Sequence, residues 1–499
     1  MADLETKNSA VATEESGERK VKMRSLALDL VPMGSDEENR MADLKVTKTL
    51  PEGIESKMLY SDIIHIAWPS LVELTLTQLA SMVDLMMVGQ LGPWALTAVG
   101  LTTQPKFLLM TMFMAMNVGA TAMVARYKGA GNQKKADEVL RQALLMTFIL
   151  GCVFAVIGFI AAPWLIKFMG ASEDHVLQAG VDYLRIQMIG LPGLALTSTI
   201  TATLRGVGNS KTAMIYNAMA NIINVFFNYM LIYGNFGAPR MEVAGASLAT
   251  IIGQYCAMFM AFYAVMNGRQ YIILRFRDGF KPNKEEIKKI VDIGAPAMVE
   301  QVVMRIGLII YTRTVAGLGT LPYAVHQVCL NIQSLSFMNG QAFAVSATSL
   351  TGQSLGKKRH DMAQAYTTRT RKLGMCVSIF LGVVFFFFGG QIVALYSGGD
   401  QSLVELGAVI MMFVAVVQPF QSSQLILAGA LRGAGDTKVT AAITFITVLL
   451  VRPALAIFAI NVLGMGLEGA WYALVTDQIL RSLLVLLRYN SGAWKRHTM

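Results

Sequence analysis

Asp84 stands between Val83 and Leu85 inside a long apolar run, and Glu73 stands eleven residues before it in the same run. An ionised side chain in the middle of a membrane costs about 2.5–3.5 kcal/mol on insertion scales, so it is a functional candidate by default. If the run is a helix, eleven residues exceed three turns by about 20°, and the two carboxylates share a face roughly 16 Å apart along the axis. Such groups take up a proton or a cation, or are neutralised structurally within a bundle. Asn221, Asn224 and Asn228 occupy another apolar run, and the last two, four residues apart, share a face. Their amides offer carbonyl oxygens to a hard cation or hydrogen bonds to a carboxylate. Bonding between helices is the plainer use. Glu300 lies in a third run with Arg305 and Arg313 beyond it, and Glu300 and Arg305 are placed to neutralise each other. Asp477 and Arg481, four apart in the last run, form the same kind of pair, with Arg452 in the run before. Gln78, Gln301, Gln327 and Gln421 are polar groups in or beside apolar runs that suit the lining of a cavity. No HExxH, HxxxD or Ser–His constellation falls in these runs, and no P-loop occurs. No catalytic residue is assigned, and ATP has no place to bind.

The elements that must position these groups follow from composition. Of 499 residues, 54% are hydrophobic and 15% charged, against about 25% charged in soluble domains. The apolar residues gather in runs of about twenty or more, long enough to cross a ~30 Å hydrocarbon core as helices. With no water there to satisfy the backbone, helices are the economical solution. Twelve such segments are predicted near 62–88, 96–125, 137–161, 176–201, 211–234, 243–267, 287–317, 322–351, 366–390, 403–428, 438–461 and 466–487. The fold class is all-α and polytopic. The formal net charge of +10 resides mostly in alternate loops. These carry Arg126, Lys128, Lys134 and Lys135, then Arg205 and Lys211, Arg269 to Lys284, Lys357 to Arg359, and Arg432 and Lys438. Loops so enriched stay in the cytoplasm, which puts both termini there and makes the plasma (inner) membrane the expected location. The lipid bilayer, not nucleic acid, is the partner this charge pattern implies. Residues 1–57 are polar and read as a disordered cytoplasmic tail. The remaining divisions are a six-helix bundle over 58–267, a cytoplasmic linker over 268–286, a second bundle over 287–488 and a tail over 489–499.

The two halves repeat. PSLVE from Pro69 returns as PAMVE from Pro296, VGQLG from Val88 as VAGLG from Val315, and LRGVGNSK from Leu204 as LRGAGDTK from Leu431. Pro192 and Pro419 match, and so do Gly245-Ala246 and Gly469-Ala470. Six helices per repeat is an even number, so both halves enter the membrane in the same sense. Transporters built from such parallel repeats carry the substrate path between the halves and rock them for alternating access.

The VDLMMVGQLG run from Val83, the NIINVFFNYMLIYG run from Asn221 and the paired LRG-x-G-[ND]-[ST]-K loops together resemble the multidrug and toxic compound extrusion (MATE) family over residues 60–488. The resemblance implies two six-helix bundles around a central cavity and antiport of small, often cationic, organic compounds against Na+ or H+. It implies that Asp84 holds the coupling ion, with Asn224, Asn228 and Thr250 completing the site, and that no other metal or cofactor is required. Some relatives carry a second acid where this chain has Asn228. Glu73 and Glu300 are then cavity carboxylates. The second half has Tyr311 at the repeat position of Asp84 and Gln421 where NorM-type relatives place an acid. This favours a coupling site in the first half, as in the DinF-type branch. The functional unit is expected to be a monomer. Ionised Asp84 would attract an organic cation. Two alternatives remain: a lipid-linked oligosaccharide flippase of related architecture and, more remotely, a membrane-embedded transferase.

Overall fold

The computed structural model describes residues 25–35, 50–51, 53–170, 173–396 and 400–496. Within them the chain forms twelve long helices and no strand. The first six are α1 (Ser56–Gly89), α2 (Pro93–Gly129), α3 (Gln133–Phe168), α4 (Asp174–Gly206), α5 (Ser210–Tyr233) and α6 (Glu242–Met266). The second six are α7 (Lys284–Ala316), α8 (Thr320–Gly356), α9 (His360–Ala394), α10 (Gln401–Gly433), α11 (Thr437–Asn461) and α12 (Gly466–Asn490). Each predicted segment corresponds to one helix. Ten are long and apolar enough to cross a membrane on length and composition alone. The other two, α4 and α8, are interior helices. Positions that lipid would require to be apolar are Thr197, Thr199, Thr201 and Thr203 in α4 and Ser346, Ser349, Thr351 and Ser354 in α8, all buried against protein. Helix starts are capped locally: the Asn132, Asn209, Asn283 and Asp400 side chains accept from the first-turn amides of α3, α5, α7 and α10.

The repeat is visible in paired contacts. At the end of the bundle that carries the basic loops, here called the basic end, α2 crosses α8. A Cβ added to Gly129 would lie 1.8 Å from the Gln353 carbonyl oxygen, and one added to Gly356 would lie 1.9 Å from that of Arg126. Gly129 and Gly356 are repeat mates, as are Arg126 and Gln353, each 227 residues apart. The pseudo-twofold axis therefore passes through this crossing. Two further mates, Thr121 and Thr348, donate from Oγ1 to the Ala202 and Gly429 carbonyls at 3.1 and 2.8 Å. The repeated LRG-x-G motif explains itself residue by residue in the first half. Leu204 is buried, Gly206 lets α2 approach at Thr121, Gly208 adopts φ +81° to end the helix, and Asn209 caps the next one.

One expectation fails at the N-terminus. Residues 25–35 are not a disordered stretch: Ala27–Leu30 form a 3-10 turn, and Leu26, Ala27, Leu28 and Val31 are buried in the apolar cluster that includes Leu59 and Ile63 of α1 and Leu350 of α8. The consecutive apolar side chains Leu26, Ala27 and Leu28, with Val31, are enough to bury a short turn on a surface already apolar. The rest of the expected tail up to residue 49 lies outside the described residues. In the expected tail 489–499, Trp494 is buried and stacks on Tyr489 with ring centroids 5.1 Å apart. His497 lies outside the described residues.

Candidate ion-coupling site

Helices α1 and α5 run side by side and are joined by rungs of constant spacing. Asn217 Nδ2 donates to Glu73 Oε1 at 2.6 Å, Asn221 Nδ2 to Thr77 Oγ1 at 3.2 Å, and Asn228 Nδ2 to Asp84 Oδ1. Every rung joins residues 144 apart, the mark of two parallel helices in fixed register. Around the last rung the predicted group assembles. Asn224 Nδ2 donates to Thr250 Oγ1 of α6 at 3.3 Å. Turned end for end, the Asn224 amide instead donates to Asp84 Oδ1 at 2.8 Å and Oδ2 at 3.2 Å and accepts from the Thr250 amide at 3.2 Å. That orientation satisfies both ends of the group. Asn224 and Asn228 are buried, whereas Asp84 is half-buried.

The donor set fits a cation. Asn228 Oδ1 is buried and has no hydrogen-bond donor. With the Asp84 carboxylate and Thr250 Oγ1, and with the Asn224 carbonyl when that amide turns its oxygen toward Asp84, it supplies the all-oxygen surroundings a hard ion prefers. The same carboxylate can take a proton.

Sequence reasoning missed three neighbours. Lys106 of α2, half-buried, is the cation whose charge acts on Asp84, and it makes no direct ion pair among the described residues. The rule that singled out Asp84 applies equally to a lysine in the middle of the second apolar run. Tyr183 of α4 also lies within reach of the Asp84 charge. Asn217, the partner of Glu73, lies on the α5 face that Asn221, Asn224 and Asn228 extend.

Glu73 and Glu300 are not free cavity carboxylates. Glu73 pairs with Arg205 at 2.8 Å, and Glu300 pairs with Arg432 at 2.7 Å and accepts from Thr440 Oγ1 at 3.2 Å. Arg205 and Arg432 are the arginines of the two LRG loops, so one ion pair occurs twice by the repeat. Arg305 does not neutralise Glu300; its guanidinium lies 4.5 Å from the Phe107 ring centroid, at the seam between the halves. Of the four glutamines, Gln421 is buried within 3.5 Å of Gln333 Nε2, Gln78 and Gln327 are half-buried, and Gln301 is exposed. None of their hydrogen bonds reaches Asp84.

The second half fills the corresponding place differently. Tyr311, the mate of Asp84, is buried and donates to the Ala470 carbonyl at 2.7 Å. Arg452 lies 5.7 Å from its ring and shares Asp477 with Arg481, which is 3.2 Å away. The expected Asp477–Arg481 pair is thus part of a triad with Arg452, and Arg481 Nη1 also reaches Met304 Sδ of α7 at 3.4 Å.

Comparison with known proteins gives the same architecture. The MatE family model matches residues 69–230 and 296–458, one stretch in each half. A "Probable multidrug resistance protein NorM" of Thermotoga maritima is 27% identical over 439 residues, covering 88% of this chain and 94% of that protein. An "Uncharacterized transporter YisQ" of Bacillus subtilis is 26% identical over 437 residues, covering 87% and 94%. A solved multidrug resistance MATE family transporter of the MOP superfamily in an outward-facing conformation superposes with a TM-score of 0.82 at 21% identity, covering 90% of this chain and all of that one. The relatives with a branch name are NorM proteins, so the expected leaning to the DinF-type branch finds no match among them. The flippase and transferase alternatives gain nothing from these relatives. With both halves matched and twelve helices paired about a pseudo-twofold axis, the chain belongs to the MatE family and is a multi-pass membrane transporter, not an enzyme.

Proposed function

We propose that this protein is a secondary active antiporter that exports small organic compounds, cationic ones among them, in exchange for protons or sodium ions. The observation that carries this reading is the assembly of Asp84, Asn224, Asn228 and Thr250 at one point between α1, α5 and α6. Ionised Asp84 accepts from the α5 amides and holds α1 in register. A proton or sodium bound there removes the charge that those donors stabilise and loosens α1 against α5. Export then follows if the ion binds more tightly to one of the two conformations than to the other. The retention of basic loops supports an arrangement in which the basic end and both termini face the cytoplasm, in the cell membrane. On that orientation the present conformation is closed to the cytoplasm, because the hydrogen bonds from Ser346, Ser349 and Gln353 that join the halves gather at the basic end.

The test is efflux of a fluorescent organic cation from proteoliposomes under separately imposed proton and sodium gradients, for wild type and Asp84→Asn. Efflux driven by one gradient and lost in the variant is the expected result. Undiminished gradient-driven efflux in Asp84→Asn would remove Asp84 from the mechanism, and no efflux under either gradient would overturn the antiport reading.

A further inference from the structure

The N-terminal segment touches both halves. Ala27 N donates to Asp62 Oδ2 of α1 at 2.8 Å, and Tyr366 OH of α9 donates to the same oxygen at 2.8 Å. Asp62 is 3% exposed. One buried carboxylate therefore ties together the segment, the first half and the second. On the second half, Lys357 Nζ donates to the Leu28 carbonyl at 2.7 Å, and Gly34 N donates to the Lys357 carbonyl at 3.1 Å. The backbones approach so closely there that a Cβ on Gly34 would lie 2.1 Å from the Lys358 carbonyl oxygen. Between these anchors Leu28, Asp29 and Met33 roof a cavity of about 280 Å³, walled by Lys128–Gly131 of the first half and Gln353 and Lys357 of the second. The Asp29 carboxylate acts on both Lys128 and Lys357, one cation from each half.

The attachment breaks the repeat symmetry. The α2–α3 turn has Gly131 at φ +70°, and its mate in the α8–α9 turn is Lys358 at φ +56°. A lysine held in a conformation that favours glycine is sustained by its surroundings, and here the neighbouring Lys357 carbonyl accepts from the segment.

We infer that residues 25–35 form a strap that holds the basic end of the two halves closed, so that the N-terminal segment sets the balance between the two access states. This rests on the alternating-access reading above. Opening the basic end requires α1 to leave α8 and α9, which breaks the Tyr366–Asp62 bond and the Ser346 Oγ bond to the Ile63 carbonyl. The strap must then release one side and expose Leu26, Ala27, Leu28 and Val31, which lie in a cluster contributed by both halves. A ligand of the strap, or any chemistry that lifts it, would act as a regulator of transport.

The test places spin labels at Lys211→Cys and Lys438→Cys, exposed repeat mates at the basic end, in a full-length chain whose Cys152, Cys256, Cys329 and Cys376 are replaced by serine. Electron–electron distances are measured in nanodiscs without substrate or ion gradient. Wild type is expected to show one predominantly short distance. Leu28→Glu and Gly34→Val are expected to shift it to predominantly long. Leu30→Glu, at a residue 62% exposed in the same turn, is expected to leave it unchanged. If Leu28→Glu does not fold, deletion of residues 25–35 removes the strap without putting a charge in the core. An unchanged short distance in the folded strap variants overturns the inference. The distances are read without transport, so a strap that behaves as expected beside absent efflux would sink the antiport reading alone.

Discussion

Asp84 and Glu73 lie on one face of α1, yet their surroundings give them different work. Glu73 has a guanidinium at 2.8 Å and its own amide donor. Asp84 has amide donors and an ammonium acting from a distance. Removing one member of a buried pair leaves a stranded charge, a loss of about 3–5 kcal/mol, whereas replacing both is far milder. Glu73→Gln alone should therefore lower thermal stability in detergent strongly, and Glu73→Gln with Arg205→Met should recover most of it. A single variant as stable as wild type would show the pair to be idle. At Asp84 the sign is set by Lys106. Its ammonium repels any cation that arrives, so Lys106→Gln should tighten ion binding, by about tenfold if the repulsion is near 1.4 kcal/mol. The ion concentration for half-maximal efflux checks this, and weaker ion binding would refute it. The aspartate and its amides were legible in the sequence because ionisable and amide groups are rare in apolar runs. The pairing of Glu73 with Arg205 was not, since it joins α1 to the end of α4, 132 residues away.

Among the elements, α2 and α8 cross at the basic end with little room to spare. Gly129 and Gly356 each sit where a methyl group would strike a backbone carbonyl of the opposite half. Overfilling a close contact costs about 1–3 kcal/mol. Here the strain falls on the closed state alone, because the helices part when the basic end opens. Gly129→Ala and Gly356→Ala should each lengthen the distance between labels at positions 211 and 438, and the double variant should do so more. No change in either would mean the crossing has slack. The helices themselves and their order were readable from apolar runs and basic loops. The π-helical stretch Phe445–Val451 was not. It follows Thr440 and precedes Arg452, and both side chains hold partners on other helices. A widened turn between them is a consequence of packing that no local propensity encodes.

At the scale of the whole molecule, the two ends should move in opposition. Labels at Gln90→Cys and Gly317→Cys report on the far end and lie on the loops that follow α1 and α7. Alternating access predicts that Gly129→Ala shortens this distance while lengthening the one at the basic end. Lengthening at both ends would indicate loosened halves rather than rocking ones.

The sequence by itself determined the class of protein, the twelve spans and the repeat, and it singled out the first-half acid. Each rests on a property that a local stretch carries: enough apolar length to cross a bilayer, a basic loop, a motif that recurs at constant spacing, a charge where lipid should be. Tertiary structure alone decided who partners whom. It put the LRG arginines on Glu73 and Glu300, Arg305 on Phe107, and Lys106 within reach of Asp84. It also turned residues 25–35 from an apparent tail into a bridge. Their polar flanks read as solvated chain, and only the apolar floor formed where the two halves meet gives four apolar side chains somewhere to be buried.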